Sequence, residues 1–563
     1  PDQRKNLLYI NQKDGTFVEM AQEYGLADPA YSTQAAFFDY DLDGDLDMYL
    51  LNHMHQMTGM NNPVPRKLNG ESESTDKLYR NDGVGSLGHP TFIDVSQEAG
   101  ITIEGFGLGV GISDLNQDGY PDIYVSNDFI SNDILYINQG DGTFIDRTKA
   151  YLSHQSHNGM GNDIADINND GLTDILVLDM LPSDNRRRKL MLNKPNYNLF
   201  EFSKSLGYQP QYMRNTFQLN NGKHAPFSEV GQLMGISSTD WSWGGLMADY
   251  NGDGLKDMFI TTGYLKDMTD LDFIVYRRKQ FKFRTREEAD SIYLASINKL
   301  PEVPLQNYFY KNNGDLNFED TSLKWAPGSL GFSNGAVYAD LDNDGDLDLI
   351  INNMDEVSVI MENKLVSSNN WVKISGDKKF DGAKVTVMIG ENHYFQEMQV
   401  TRGFQSSIEP KLHFGVGTAE KIDRIEVVYP DGKFLELSDI EVNKEHKLQY
   451  AKAKEGNLRK LPQNPLFKEQ EVVDHTHEEF IVDSNNIVFG DGNIGFVHGV
   501  GGGPPGYSCG GATCIQAQFN TPWNPELNKW HHVAIVREGA NEFIFINGVS
   551  QPLNVIVDFG SET

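Results

Sequence analysis

Five short stretches of the chain carry aspartate and asparagine at a spacing that suits a metal ion. Each has oxygen-bearing side chains at its first, third, fifth and ninth positions and glycine at its sixth. Alternate residues of a tight loop turn their oxygens towards one point, and glycine accepts a backbone conformation that a side chain would penalise. We number these stretches loops 1 to 5: residues 39–47, 114–122, 166–174, 249–257 and 340–348. The pattern predicts about five bound calcium ions.

The candidate ligands follow from the positions within each loop. The side-chain ligands are Asp39, Asp41, Asp43 and Asp47 in loop 1; Asp114, Asn116, Asp118 and Asp122 in loop 2; Asp166, Asn168, Asp170 and Asp174 in loop 3; Asp249, Asn251, Asp253 and Asp257 in loop 4; and Asp340, Asp342, Asp344 and Asp348 in loop 5. The seventh residue of each loop would add its backbone carbonyl: Asp45, Tyr120, Leu172, Leu255 and Asp346. A single stretch could be a solvated turn, but all five run directly into an apolar strand.

A second repeated pattern accompanies the loops. Residues 135–138, Leu-Tyr-Ile-Asn, lead through a Gly-Asp-Gly turn to Phe144, and similar runs lie at 8–11, 78–81, 217–220 and 309–312. Apolar residues around an Asn/Asp/Gly turn predict a strand pair. A repeat with a core of about fifty residues has the size of a propeller blade. The sequence therefore predicts an all-β fold with calcium-binding propeller blades over residues 1–365.

Composition excludes some functions. The chain has 80 acidic and 47 basic residues, a net charge of −33, and its one dense basic run, residues 186–189, is short. Nucleic acid is a poor partner for such a chain, so we interpret that run as the solvated start of a helix. No apolar run reaches the length of about eighteen residues that a bilayer requires. No secretion signal is visible at Pro1, although one could have been removed.

Several runs carry a family resemblance. Residues 8–12, 31–39, 177–182 and 239–243 resemble the FG-GAP/VCBS repeats of the cartilage-acidic-protein-like ASPIC/UnbV family of bacterial surface proteins, common in Bacteroidota. The resemblance covers roughly residues 1 to 480. It implies an integrin-α-like, seven-bladed, calcium-binding β-propeller, with about five blades in this sequence and about two upstream of Pro1.

The region after loop 5 predicts a different domain. Alternating strands over residues 366–450 indicate a small β-sandwich, and the runs at 402–407, 412–417 and 428–432 are similar to the ASPIC/UnbV signature. That family supplies no agreed chemistry. Arg402 and His413 could bind a ligand, but a structural salt bridge and a satisfied strand histidine are the favoured interpretations.

The remaining residues are less informative. Residues 451–480 suit a linker, where 474–479 could hold a transition metal but are better explained as a polar tip. Residues 481–563 resemble part of a laminin-G or concanavalin-like jelly roll, either atypical or not contiguous with the rest. Cys509 and Cys514 could form a disulfide or remain free thiols, and the sequence does not favour either.

The functional expectation is a binding protein rather than an enzyme. The paired carboxylates are nearly all committed to calcium by their spacing, and neither a nucleophile motif nor a phosphate-binding loop is present. We expect an extracellular or outer-membrane surface protein that binds other surface proteins, with insertions at 183–214 and 263–306 as docking loops. The alternatives are a polysaccharide-binding protein and a calcium-dependent lyase or hydrolase accessory.

Overall fold

The computed structural model describes most of the first 456 residues. These are residues 5–54, 61–86, 88–191, 197–223, 225–281, 285–328, 330–364, 369–377 and 379–456, together with strands between residues 486 and 557. The chain folds into two compact units, Pro1–Lys460 and Leu461–Thr563. Within the described part of the chain, no helix is long and apolar enough to cross a membrane.

The first unit opens with an outer hairpin and two complete blades. The hairpin strands are β1 (Tyr9–Asn11) and β2 (Phe17–Glu19), followed by helix α1 (Ala21–Tyr24). The first blade contains β3 (Tyr31–Phe38), β4 (Asp47–His53), β5 (Lys77–Val84) and β6 (Pro90–Asp94), followed by α2 (Ser96–Ala99). The second contains β7 (Gly107–Ser113), β8 (Asp122–Asn127), β9 (Ile134–Asn138) and β10 (Phe144–Asp146), followed by α3 (Thr148–Tyr151). Both are antiparallel meanders, since neighbouring strands pair in sequence order.

Three further blades follow. The third contains β12 (Asn162–Ala165), β13 (Asp174–Val177), β15 (Thr216–Leu219) and β16 (Ser228–Glu229). The fourth contains β17 (Ser242–Ala248), β18 (Asp257–Thr262), β20 (Tyr308–Asn312) and β21 (Phe318–Asp320), followed by α8 (Ser322–Trp325). The fifth has three strands, β23 (Ser333–Ala339), β24 (Asp348–Asn353) and β25 (Val359–Met361). The all-β fold with about five blades is confirmed.

Short elements lie between these strands. They are β11 (Gln155–Ser156) paired with β14 (Gln211–Tyr212), β19 (Leu305–Gln306) paired with β22 (Leu330–Gly331), and helices α4 (Asn185–Met191), α5 (Tyr197–Ser205), α6 (Leu271–Phe281) and α7 (Arg286–Ile297). The four helices lie in the two predicted insertions, between the second and third strands of the third and fourth blades. Because antiparallel strands alternate in direction, these connections lie at the opposite end of the blades from the acidic loops.

The basic run 186–189 lies in α4, but two of its arginines are paired rather than fully solvated. Arg187 makes an ion pair with Asp240 through Nε and Nη2, and Nη2 also donates to the Tyr264 hydroxyl at 2.8 Å. Arg188 donates to the Pro182 carbonyl at 2.9 Å. The insertion is therefore fastened to the fourth blade, and the prediction of a purely solvated run was wrong for these two side chains.

Neighbouring blades are joined by the asparagine that follows or ends the third strand of the second to fifth blades. Asn138 Nδ2 donates to Tyr40 O of the preceding blade at 2.8 Å and to Pro121 O of its own blade at 3.2 Å. Equivalent bonds to the preceding blade come from Asn220 to Leu115 O, from Asn312 to Ile167 O and from Asn363 to Tyr250 O. Buried amides with satisfied donors fix the spacing between blades. Apolar cores fill the space between the sheets, with Tyr49, Leu51 and Ile123 fully buried.

The predicted β-sandwich follows the fifth blade. One sheet has the order β29-β26-β32 and the other the order β28-β27-β30-β31. The strands are β26 (Trp371–Ser375), β27 (Lys384–Ile389), β28 (Asn392–Glu397), β29 (Lys411–Gly415), β30 (Lys421–Val428), β31 (Phe434–Glu441) and β32 (Lys444–Lys447). Fully buried Val372, Val385 and Ile425 pack between the sheets. A 3-10 turn at Tyr450–Lys452 follows, and Lys454 pairs with Phe434.

The second unit is also built from strands. It contains β33 (Asn486–Gly490), β34 (Asn493–Val500), β35 (Ile515–Pro522), β36 (Val533–Glu538), β37 (Asn541–Ile546), β38 (Val549–Gln551) and β39 (Asn554–Val557). They form one sheet with the order β33-β34-β35-β39 and a second with the order β36-β37-β38. Cys509, Cys514 and the 474–479 cluster lie outside the described residues.

Candidate metal centres and the domain seated on them

The five acidic loops share one backbone conformation. Each connects the first strand of a blade to the second. The sixth residue is a glycine with φ between 83° and 103°, which favours glycine as the sequence predicted. The fourth residue also has a positive φ in every loop, a feature that the spacing did not reveal: Leu42, Gln117, Asn169, Gly252 and Asn343. Leu42 has a φ of 60°, a conformation that is unfavourable for a residue with a side chain, so the surrounding hydrogen bonds must stabilise that turn.

Two aspartates of each loop hold the turn together. In loop 1, Asp39 Oδ2 accepts the Gly44 N–H at 2.9 Å, and the same bond between first and sixth residues recurs in loops 2 to 5. The ninth residue, Asp47, accepts the Tyr40 N–H on one oxygen and the Asn81 N–H on the other. The equivalent second bond recurs at Asp122, Asp174, Asp257 and Asp348. The ninth aspartate therefore ties the loop to the third strand of its blade.

In loops 1 and 5, carboxylates also converge, and several carboxylate oxygens are buried without a partner. One oxygen from each of Asp39, Asp41 and Asp43 lies within 4.8 Å of the others, and the same holds for Asp340, Asp342 and Asp348. The oxygens buried without a hydrogen-bond partner are Asp39 Oδ1, Asp41 Oδ1, Asp45 Oδ1, Asp340 Oδ1 and Asp346 Oδ1. An unsatisfied buried carboxylate oxygen is costly, and a hard cation that prefers oxygen ligands would satisfy several at once. The residues of loops 1 and 5 fit calcium.

Crowding of these carboxylates shifts their protonation. Burial, together with the charges of Asp43 and Asp41, raises the pKa of Asp39 to about 6. Burial likewise raises the pKa of Asp47 to about 8 and that of Asp249 to about 7. Carboxylates that disfavour their own ionisation in the absence of a cation are those that a divalent ion would stabilise most.

Loops 2 to 4 have asparagine at the third position. In two of these loops the asparagine amide donates a hydrogen bond to the fifth-position carboxylate. Asn116 Nδ2 donates to Asp118 at 2.8 Å, and Asn168 Nδ2 donates to Asp170 at 2.9 Å. In loop 4 the buried Asn251 Nδ2 has no partner. The seventh residue of each loop donates its N–H to the fifth aspartate, as Tyr120 does to Asp118 at 2.9 Å. The proposed use of its carbonyl as a ligand stays a prediction.

The β-sandwich contacts loops 1, 2, 4 and 5 directly and is linked to loop 3 through a lysine of loop 4, which the sequence analysis did not anticipate. Lys379 Nζ donates to Gly44 O of loop 1 at 3.1 Å, and Gly417 N donates to Gly252 O of loop 4 at 3.0 Å. Lys256 of loop 4 donates both to Asp166 O of loop 3 at 2.8 Å and to Phe395 O of the sandwich at 3.1 Å. Loop 2 is reached by Lys384, and Ser113, the residue before that loop, donates its hydroxyl to Glu397. Loop 5 is reached by Trp371, Lys373 and His413. The β-sandwich therefore packs against the end of the blades that carries the acidic loops.

His413 is the strand histidine that the sequence predicted, with one ring nitrogen satisfied. Its Nε2 donates to the Gly345 carbonyl of loop 5 at 2.8 Å, whereas Nδ1 is buried without a partner. Burial lowers the pKa of His413 to about 4, so the ring is neutral at pH 7. The indole of Trp371 lies directly over the same glycine. A side chain at Gly345 would collide with Trp371 Nε1, so this position requires glycine.

Residues 399–409 form an arm that extends from the sandwich between the blades. Arg402 makes a two-pronged ion pair with Asp163 of β12, including Nη2 to Oδ2 at 2.7 Å, and Nη2 also donates to Met247 O of β17 at 3.1 Å. Its Nη1 reaches the Tyr338 hydroxyl of β23 at 3.4 Å. These are the first strands of the third, fourth and fifth blades. Arg402 is only 8% exposed and forms the structural salt bridge that the sequence predicted. Through this residue the arm holds three blades together.

The tip of the arm reaches the other end of the first strands. Gly403 pairs with Asn162, and the Phe404 ring lies 5.1 Å from that of Trp243. A side chain at Gly161 or Gly244 would meet Phe404, so small residues on β17 and next to β12 make room for the arm. The arm fills the space among these first strands.

Comparison with known proteins agrees with this architecture. The FG-GAP-like repeat model matches residues 2–50, 114–177 and 292–351, and the ASPIC and UnbV model matches residues 377–455. The chain carries FG-GAP-like repeats and an ASPIC and UnbV domain. Its similarity to the ASPIC/UnbV family, predicted from the sequence, is confirmed.

Similar curated proteins share the same name. Cartilage acidic protein 1 of Mus musculus is 25% identical over 354 residues, covering 61% of this chain and 45% of that protein. The Homo sapiens protein is 24% identical over 351 residues, covering 61% and 43%, and the Xenopus tropicalis protein is 23% identical over 428 residues, covering 74% and 54%. The chain spans about half the length of the curated relatives it matches.

A solved structure with some likeness is the V. cholerae biofilm matrix protein Bap1. It is 10% identical, and the alignment covers 74% of this chain and 60% of that one. The TM-score of 0.25 is too low to indicate a shared fold.

Proposed function

We propose that this chain is a calcium-stabilised extracellular or cell-surface protein that acts as a rigid scaffold for binding other surface proteins. The observation that carries the proposal is that loops 1 and 5 each bring three carboxylates together and keep buried carboxylate oxygens without a partner, at the corners where blades meet the sandwich. Calcium is abundant outside cells, and extracellular calcium modules bind with affinities of about 10⁻⁴ to 10⁻³ M.

Calcium in this proposal is structural. The first, third, fifth and ninth residues of each loop would hold the ion, and the ion would neutralise carboxylates that otherwise repel one another. Because the ninth aspartate also binds the third strand of its blade, a bound ion would stabilise the blade.

The opposite end of the blades supports a role in protein binding. Helices α6 and α7 of the fourth-blade insertion expose apolar side chains, with Val275 47%, Tyr276 46% and Leu294 62% exposed. Exposed apolar side chains on loops carried by a rigid scaffold are typical of protein-binding surfaces. We propose that partners, including outer-membrane proteins, dock there.

A scaffold is preferred to a polysaccharide-binding protein or a lyase. In an enzyme of that kind, substrate would have to reach Tyr, His, Arg or Lys side chains among the first strands. Arg402 and Phe404 of the chain's own arm occupy that space, and Arg402 is committed to Asp163. Its charge is therefore used within the fold, which favours a non-catalytic role.

Thermal unfolding and affinity capture together test the proposal. We expect the melting temperature to fall when excess EGTA replaces millimolar calcium, and to be restored by calcium but not by magnesium. Capture from intact cell envelope should retain surface proteins with calcium and lose them in EGTA or when Val275, Tyr276 and Leu294 are replaced by serine. A melting curve that is indifferent to EGTA overturns calcium stabilisation. Capture unaffected by the three serines overturns the docking surface.

A further inference from the structure

Two lysines of the sandwich reach the first aspartates of two loops. Lys373 Nζ makes an ion pair with Asp340 Oδ2 of loop 5, and these side chains are 6% and 0% exposed. Lys384 Nζ makes the same pair with Asp114 Oδ2 of loop 2, with side chains 26% and 3% exposed. In both loops that oxygen also accepts the N–H of the sixth-position glycine, at 2.9 Å.

The lysine leaves the other oxygen of loop 5 available. Asp340 Oδ1 is buried without a partner, and Asp340, Asp342 and Asp348 each place one carboxylate oxygen within 4.8 Å of the others. A cation can therefore still enter the loop, but it meets a carboxylate whose charge is already balanced by an ammonium group. Like charges a few ångströms apart in a partly buried site oppose each other strongly.

Loop 1 provides the contrast within the same molecule. Its sandwich lysine, Lys379, donates to a carbonyl oxygen, Gly44 O at 3.1 Å. Among the residues that the structure describes, no ammonium or guanidinium group pairs with a carboxylate of residues 39–47. Asp39, Asp41 and Asp45 each keep one buried oxygen without a hydrogen-bond partner, and Lys379 and Arg80 act on these carboxylates only through their charge and not through an ion pair.

We propose that Lys373 and Lys384 act as tethered cations that hold loops 5 and 2 when calcium is scarce and weaken calcium binding there relative to loop 1. The inference rests on the proposed calcium binding. By thermodynamic reciprocity, calcium in these loops weakens the lysine contacts that seat the sandwich. The calcium concentration would then set how tightly the sandwich is held.

Terbium luminescence can follow loop 5 separately from the other loops. Tb³⁺ replaces calcium at oxygen sites and is excited by a nearby indole, and Trp371 lies against Gly345 of loop 5. The loop 5 signal is the part of the luminescence that Trp371→Phe removes. Titrations of wild type, Lys373→Met and Lys373→Arg compare the uncharged and charged side chains at this position. Lys411→Met, which removes a partly exposed lysine paired with Glu409 and Glu445 on the same sandwich, is the matched control.

We expect Lys373→Met to lower the half-saturating Tb³⁺ concentration of loop 5 by about tenfold or more, while Lys373→Arg and Lys411→Met leave it unchanged. Amide hydrogen exchange in β26 and β29 should also become faster in wild type as calcium is added at fixed ionic strength. An unchanged or higher half-saturating concentration in a cooperatively folded Lys373→Met overturns the inference. The absence of any Trp371-dependent signal in wild type overturns calcium binding by loop 5 itself.

A second variant decides the question if Lys373→Met does not fold. Lys384 is more exposed than Lys373, so Lys384→Met disturbs packing less. Calorimetric titration of this variant with calcium should show one site fewer with weak affinity and one more with the tighter affinity of loop 1. The affinity of that site should rise by about tenfold. An isotherm identical to that of wild type overturns the inference for loop 2.

Discussion

Loops 1 and 5 have almost the same sequence but very different neighbours. They differ only at their second and fourth residues, Tyr40 and Leu42 against Leu341 and Asn343. Both have positive φ at the fourth and sixth positions and bond the first aspartate to the sixth-position glycine. Loop 1 receives one lysine at a carbonyl, whereas loop 5 lies under Trp371, Lys373 and His413 of the sandwich.

This comparison separates what the loop sequence decides from what its surroundings decide. The nine-residue pattern is sufficient for the turn geometry, because the bonds that form it lie within the loop and its own blade. The charge balance depends on the sandwich, which differs between the two loops. The same sequence motif therefore provides sites of different electrostatic character.

Removing Arg402 should have the largest effect, because this residue holds the arm of the sandwich between the blades. Arg402→Met leaves Asp163 as an unpaired buried charge, and we expect it to lower the free energy of unfolding by about 5 kcal/mol. Amide exchange in loop 5 should rise far more than in loop 1. Urea denaturation and hydrogen exchange measure both effects.

Arg424→Met is the matched control, since Arg424 lies on β30 with its side chain 37% exposed and pairs with the largely buried Glu426 and the exposed Glu436. Ion pairs of a partly exposed arginine contribute about 1 kcal/mol, well below the effect expected for Arg402. Equal effects of the two substitutions would contradict the role assigned to the arm.

Neutralising the first aspartate should distinguish the two loops directly. In EGTA, Asp340→Asn leaves Lys373 buried without its carboxylate, and we expect a loss of about 3 kcal/mol. Asp39→Asn removes a carboxylate whose burial and acidic neighbours raise its pKa to about 6, so its cost in EGTA at pH 7 should be below about 1 kcal/mol. Chemical denaturation of both variants provides the values. If Asp39→Asn costs as much as Asp340→Asn, the two loops do not differ in charge balance.

The asparagines that bond to the preceding blade make the same contacts in several blades, so replacing one should lower stability independently of calcium. Asn138→Ala removes donors to Tyr40 O and Pro121 O and leaves both carbonyls buried. We expect a loss of about 2 kcal/mol with or without calcium. Gln139→Ala, which removes an exposed neighbouring amide, is the control in the same thermal unfolding series. A loss that appears only in EGTA would show that this asparagine acts through the metal sites.

A smaller effect should come from buried carboxyls outside the loops. Asp76 accepts the Asn52 N–H and the Tyr49 hydroxyl, and burial raises its pKa to about 7. Because the folded pKa exceeds the unfolded value of 3.8, the associated stability is present below pH 3.8 and is lost as pH rises through about 7.

The corresponding position in the third blade is Asn215, which accepts the Asp179 N–H at 2.8 Å. We therefore expect Asp76→Asn to fold and to remove about 1 kcal/mol of the stability lost between pH 6 and pH 8. Asn215→Asp should add a similar pH dependence. Melting temperatures across that pH range in EGTA check both variants, and an unaltered slope for Asp76→Asn would contradict this assignment.

The sequence predicted what is repeated locally and missed what joins distant residues. The loops, blades and sandwich were predicted because their patterns lie within short windows, and the asparagine of the hairpin signature was noticed without its role between blades. Arg402 and Asp163 are 239 residues apart, and no periodicity records that they meet. The seat of the sandwich on the loops was missed for the same reason. Leu42 shows the converse, since a leucine gives no sign that the turn requires positive φ.

The most direct test of the calcium proposal is a crystal structure grown in millimolar calcium, with anomalous scattering measured at a wavelength where calcium contributes. We predict an anomalous peak among the first, third and fifth residues in each of loops 1 to 5, with ligand oxygens about 2.3–2.6 Å from it. Loops without peaks, in which those carboxylates turn out to solvent, would contradict it.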